Sequence, residues 1–261
     1  MTIQDKYEYY QTFKKFQQSR EKYFGPSINK ALKEQVQQAI KAVKAGFFNP
    51  ELKVSVEPIH TALRPLYLDS IIYGAKVRSY LNRQKARMPI GFNERMISLM
   101  LQYFETDILN TSQGITDVTK DFIQRILGEA ALYGYGIDWQ VEEMLKLTDI
   151  NYNRSRTIAR TETVTAANQA GRFAAQDTGL LMKKEWLSTT DNRTRKDHII
   201  ANGQIVEMDD YFNVGGGITM LQPGARTQAN GLEVPPKEVI NCRCTTLYLP
   251  QRNTAGRLIT N

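Results

Sequence analysis

At 261 residues the chain is long enough for one large domain or two modest ones with a real hydrophobic core. Its 41% hydrophobic and 23% charged residues exclude wholesale disorder, and a formal net charge of +7 favours a polyanionic neighbour or an acidic protein surface without requiring either. The first ten residues lack an apolar signal core, no stretch approaches the roughly 20 apolar residues that span a bilayer, and the two cysteines, Cys242 and Cys244, are too close in sequence for an ordinary structural disulfide, so a soluble protein made in a reducing cytoplasm is expected.

The first two thirds read as helices. Tyr7 to Tyr23 carries Tyr9, Phe13 and Phe16 at helical spacing. Gly25-Pro26-Ser27 is expected to break that helix, with Ser27 capping a second one in which Ile28, Leu32, Val36, Ile40 and Val43 form one apolar stripe as far as Phe47. A long segment, about Ile59 to Gln84, follows, then a turn at Met88-Pro89-Ile90-Gly91. Separate helices are expected over Asn93 to Leu109, Thr111 to Tyr133 and Trp139 to Leu147. Asp149-Ile150-Asn151 offers a cap for a further one, Tyr152 to Gln176, stopped by Asp177-Thr178-Gly179.

After Gly179 the periodicity fades and Gly, Pro, Asn and Thr become frequent. Lys184 to Ser188 and Thr245 to Leu249 read as strands, and Asn202-Gly203 between two short apolar runs reads as a hairpin turn. The tail from Pro250 to Asn261 is expected to be extended. The fold class is therefore α+β, a helical body over about 1–150, then a small β-rich module over about 151–250, then the tail over 251–261.

The informative residues cluster near the C-terminal end. A helix carries Ile158-Ala159-Arg160-Thr161-Glu162-Thr163 and Ala167-Asn168-Gln169-Ala170. Then come Trp186, the run Asp191-Asn192-Arg193-Thr194-Arg195-Lys196-Asp197-His198, Asn202-Gly203-Gln204, the acidic-aromatic step Asp209, Asp210 and Phe212, Pro223-Gly224, and a closing Asn241-Cys242-Arg243-Cys244. This ordered set, from about Arg154 to Leu249, resembles the phage Mu F-like minor head protein domain of the head morphogenesis family. The family motif residues are then Arg160, Glu162, Trp186, Asp191, Arg193, Arg195, His198, Gly203, Asn241, Cys242, Arg243 and Cys244.

The resemblance implies a minor structural protein of a tailed phage head and no enzyme. Such proteins are present in few copies, are linked to the portal and act in head assembly, some with packaged DNA and its ejection. It implies a virion location after synthesis in the host cytoplasm, with the portal protein, the major capsid or scaffold protein and non-specifically bound double-stranded DNA as partners, and no membrane. The helical body, which carries no nameable motif, corresponds to the variable portion such proteins place before the shared domain.

The chemistry of the same residues admits two readings. His198, Cys242 and Cys244 are ligands for soft or borderline metals and Asp191 adds an oxygen, a mix that suits tetrahedral zinc. The Cys-x-Cys spacing argues against structural zinc. Alternatively Asp191 caps its own turn, His198 hydrogen-bonds within the module, and the cysteines alternate on a strand as small buried hydrophobes. On the helix, Arg156, Arg160 and Thr163 share a face expected to grip the acidic turn at Asp191 or at Asp209 and Asp210, or else to face solvent. Gly215-Gly216-Gly217 lacks the lysine and helix start of a phosphate loop, and the aromatic N-terminal stripe reads as core before it reads as a base-stacking surface. A metal-dependent nuclease or transferase is the competing function, thinly supported by two histidines, His60 and His198. A non-specific DNA-binding protein is the third.

Overall fold

The structure is a computed structural model, and it describes residues 2–47, 49–81 and 94–260. Its elements are α1 (Ile3–Lys44), a 3-10 turn (Pro50–Lys53), α2 (Glu57–Asp69), α3 (Ile71–Leu81), α4 (Glu94–Tyr133), α5 (Ile137–Gln176), β1 (Met182–Leu187), α6 (Lys196–Ala201), β2 (Ile205–Glu207), β3 (Phe212–Asn213), β4 (Thr219–Met220), α7 (Pro236–Val239) and β5 (Thr245–Pro250). The fold is α+β. No helix among the described residues is long and apolar enough to cross a membrane. The turn expected at Met88–Gly91 lies outside the described residues.

The helices are fewer and longer than the punctuation of the sequence suggests. Helix α1 continues through Pro26, where Phe24, Ile28 and Leu32 are buried on either side and Ser27 Oγ donates to Phe24 O at 2.9 Å. A proline inside a helix costs about 3 kcal/mol, a cost that burial of such a stripe outweighs. Helix α4 runs unbroken past Asn110–Thr111, and α5 past Asp149–Asn151. Polar residues within these helices are buried partners of one another: Gln35 Nε2 donates to Thr116 Oγ1 at 2.8 Å, and Thr119 Oγ1 donates to Gln35 Oε1 at 3.2 Å. The segment expected as one helix from Ile59 is divided at Ser70 into α2 and α3.

The chain forms two compact units. One comprises Glu21–Leu66 and Tyr103–Ala159. Its core holds Val36, Ala39, Ile40 and Val43 of α1 with Val54, Ile123 and Met144. Beside them Arg154 donates to Thr119 Oγ1 at 2.9 Å and Ile115 O at 2.6 Å, and burial lowers its pKa to about 10.

The other unit comprises Met1–Arg20, Tyr67–Gln102 and Arg160–Asn261. Its antiparallel sheet has the order β2-β1-β5, with Lys184 opposite Tyr248 and Trp186 opposite Thr246. Tyr9, Phe13 and Phe16 of α1, Tyr73 and Val77 of α3, and Val164, Ala167 and Ala174 of α5 share one core with Trp186, Phe212, Leu247 and Tyr248.

Three local expectations are corrected in this unit. The Asn202-Gly203 turn joins helix α6 to strand β2 rather than two strands, because His198 and Ala201, three apart, are the buried residues while Ile199 and Ile200 face outward. Gly203 takes a φ of 80° and its N–H donates to Trp186 O at 2.8 Å. The cysteines precede β5 instead of alternating along it. The tail turns back at Asn253–Arg257, and Ile259 O accepts from Leu181 N at 2.9 Å.

Candidate functional site

Helix α5 is the organiser of the motif residues. Asn168, wholly buried, satisfies both ends of its amide: Nδ2 donates to Val164 O (3.0 Å) and Cys244 O (3.2 Å), and Oδ1 accepts from Thr245 Oγ1 and Thr246 N (both 3.0 Å). The start of β5 is thereby fastened to the helix. About two turns earlier, Arg160 Nη1 donates to Asn241 Oδ1 at 2.9 Å, and Asn241 N donates to Thr161 Oγ1 at 3.0 Å. Asn241 itself is left-handed, with a φ of 61°, a conformation asparagine tolerates better than most residues. Glu162, on the adjoining face, accepts from Tyr67 Oη and from Arg226 Nη2, both at 2.7 Å. At Gly224, φ is 87° and a Cβ would lie 2.8 Å from Thr165 Cα, so the Pro-Gly step is there because only glycine lets that loop meet the helix.

The arginine face does not reach the acidic turns as expected. Arg160 holds Asn241, and Arg156 pairs with Glu21 at 2.9 Å in the other unit. It is Arg172 that pairs with Asp209, at 2.6 Å. Asp191 is held by Arg243, whose Nη2 lies 2.8 Å from Oδ1 and whose Nη1 reaches Oδ2. Asp191 also accepts from Arg193 N at 3.0 Å and Thr194 Oγ1 at 3.2 Å, the Asx turn foreseen for it. Arg243, with those turn bonds, holds the Asp191 carboxyl well below the usual carboxylate range. The Arg193 side chain is exposed, and Arg195 reaches Ile240 O.

His198, Cys242 and Cys244 come together. All three are 1% exposed, and their ligand atoms lie within 4.8 Å of one another. His198 Nδ1 is 3.6 Å from Cys242 Sγ and 3.4 Å from Cys244 Sγ. Asp191, the fourth ligand anticipated from the sequence, is not in this cluster. In its stead sequence reasoning missed Glu238, 1% exposed, whose Oε2 is 3.2 Å from His198 Nε2, off the line of a well-formed hydrogen bond, and whose Oε1 is 3.4 Å from Lys237 Nζ. A glutamate in the only turn of a four-residue helix carries no periodic signal that marks it as buried. Trp186 packs edge-on against the His198 ring, centroids 5.4 Å apart.

The hydrogen bond from Cys244 pulls the Cys242 thiol well down against the opposing effect of burial, and His198 adds to it. Burial and the neighbouring sulfur push Cys244 up. Burial alone would lower His198, but Cys242 and Glu238 outweigh it and the net direction is up.

Against known proteins, the family described as "Phage Mu protein F like protein" matches residues 121–247. The "NAD(+)–arginine ADP-ribosyltransferase EFV" of Enterococcus faecalis is 32% identical over 136 residues, 50% of this chain and 25% of that protein. The "Minor head protein GP7" of Bacillus phage SPP1 is 24% identical over 208 residues, 76% of this chain and 63% of that protein. The chain thus spans less than two thirds of either relative. No solved structure matches it. The stretch 121–247, which holds α5 and the residues it fastens, is thus similar to the phage Mu protein F-like family.

Proposed function

We propose that the protein is a minor structural component of a tailed phage head that acts in head assembly at or near the portal. The observation that carries this reading is the 208-residue similarity to a minor head protein, which extends over 76% of the chain and so well beyond the family stretch. The geometry agrees in kind. Glu162, Arg160 and Asn168 are spent on fastening loops and strand to one helix, which makes a rigid scaffold rather than an open catalytic cleft. The protein is made in the host cytoplasm and enters the virion, where the net charge of +7 suits it to lie near packaged DNA.

The test is co-expression with the portal protein and, separately, with the major capsid protein of the same phage, followed by affinity capture of each. Capture with the portal is the expected result. Capture with the capsid protein alone would remove the portal from the proposal. Contact with DNA predicts sequence-independent binding to duplex whose log affinity falls with log salt by about 0.9 per phosphate neutralised. An affinity unchanged by salt would exclude it.

The second reading, an enzyme, is favoured by one observation, the 32% identity over 136 residues to a protein named as an ADP-ribosyltransferase. Those residues make up 25% of that protein. Incubation with labelled NAD and an arginine-rich acceptor separates the readings. A head scaffold transfers no label, and stoichiometric transfer would put the enzyme first.

A further inference from the structure

We propose that His198 Nδ1, Cys242 Sγ and Cys244 Sγ bind a zinc ion, with the Glu238 carboxylate orienting the imidazole from its far side. The proposal is independent of the head-protein reading.

Geometry carries it. Zinc takes sulfur at about 2.3 Å and imidazole nitrogen at about 2.0–2.1 Å, so a tetrahedral site needs a sulfur-to-nitrogen separation of about 3.6 Å. The two separations here are 3.6 and 3.4 Å. Three side chains from α6 and from the turn before β5 therefore stand at zinc-binding distance before any ion is considered. The backbone N–H of Cys244 points at Cys242 Sγ, 3.4 Å away, and such a donor stabilises a metal-bound thiolate.

The far side of the imidazole supports the same assignment. A ligating histidine commonly presents its other nitrogen to a carboxylate, which fixes the tautomer and leaves the ligating nitrogen its lone pair. Glu238 occupies that place on Nε2. A carboxylate this deeply buried is costly unless its charge is balanced. A divalent cation with two thiolates is neutral, and Lys237 Nζ, 3.4 Å from Glu238 Oε1, offsets the carboxylate. Asp191 has no part in it, being committed to Arg243. Three protein ligands leave the fourth tetrahedral position to a small exogenous ligand such as water.

The site would also answer a structural need. Helix α6 has six residues, α7 four, and β3 and β4 two each, so these elements have few hydrogen bonds of their own to hold them. A metal joining α6 to the turn before β5 supplies the missing constraint, with two thiol protons released to solvent as it binds.

The full-length protein, purified under reducing conditions from zinc-supplemented cells, would be measured for zinc by mass spectrometry. It would then be stripped and titrated with cobalt(II) alone. About one zinc per chain is expected, together with thiolate-to-cobalt charge-transfer absorption and tetrahedral visible bands that saturate at about one equivalent. Cys244→Ser should lose most of the bound zinc and the charge-transfer intensity, whereas Asp191→Asn should keep both. Glu238→Gln should keep the stoichiometry but weaken affinity about 10–100-fold in a chelator competition. Since a loss of fold in Cys244→Ser would mimic a loss of metal, the wild-type cobalt titration decides by itself. A reduced wild-type protein with less than a tenth of an equivalent of zinc and no cobalt bands would overturn the proposal. So would an Asp191→Asn variant that loses the metal as completely as Cys244→Ser, copper in place of zinc, or a Cys242–Cys244 disulfide in freshly purified protein.

Discussion

Asn168 shows how much one side chain can do when every polar atom is used. Its amide makes four hydrogen bonds, two of them to the backbone at the start of β5, at Cys244 O and Thr246 N. Asn168→Leu keeps the volume but leaves those backbone groups unpartnered in a buried place, at about 1–3 kcal/mol each. Urea unfolding should show a loss of at least 2 kcal/mol, and a loss below half of that would mean the groups find other partners. Gly224→Ala is expected to cost roughly 1–3 kcal/mol by the same measurement, from the left-handed φ and the collision with Thr165. Lys184 makes a pH-dependent prediction. It is fully buried, donates to Leu221 O at 2.7 Å, and its amine is lowered from 10.5 to about 7, first by burial and then by Arg172. Between pH 7 and pH 10.5 the unfolded chain therefore binds the proton that the folded chain has lost. Stability should rise with pH through that window and be lowest below it. Thermal melts of wild type and Lys184→Met at about pH 6 and about pH 9.5 should show the wild type gaining more from the alkaline shift, and equal gains would refute it.

At the scale of the element, the informative errors all concern where helices stop. Pro26, Asn110–Thr111 and Asp149–Asn151 each carry the residue types that end helices, yet α1, α4 and α5 run through them. Propensity is worth about a kcal/mol per residue, and a buried apolar side chain is worth more, so packing overrides the local preference. The apolar stripe from Ile28 to Val43 was legible as helix because its period is intrinsic to the sequence, whereas the buried role of Gln35, Thr116 and Thr119 was not, since polar residues at helical spacing ordinarily face water. Pro26→Ala should raise stability by about 1–3 kcal/mol with no loss of helical circular dichroism, because it restores a backbone donor without disturbing the stripe. A destabilised variant would mean that the local geometry at Pro26 is one the surrounding core requires.

At the scale of the whole molecule, the family stretch 121–247 is not a self-sufficient core. The unit that holds its motif residues also contains Tyr9, Phe13, Phe16 and Tyr73, with Phe13 and Tyr73 ring-to-ring at 5.4 Å and Tyr9 Oη donating to Thr246 O at 2.9 Å. A fragment beginning at residue 121 should therefore lack the fixed near-ultraviolet circular dichroism of the full chain while keeping helical signal, the signature of lost side-chain packing. A fragment with a sharp thermal transition and native near-ultraviolet signal would show that the N-terminal aromatic residues are dispensable.

The sequence by itself determined the α+β class, strands within Lys184–Ser188 and Thr245–Leu249, and the resemblance to the phage Mu F-like family. These follow from short-range periodicity and from an ordered set of residue types, both of which are properties of the chain alone. Only the tertiary structure decided what each motif residue touches: Arg243 rather than the α5 arginines on Asp191, Glu238 rather than Asp191 beside His198, and an N-terminal helix in the core of a C-terminal sheet. Those pairings join residues tens to hundreds of positions apart, and they are selected by burial and hydrogen-bond satisfaction across the folded molecule, about which local spacing carries no information.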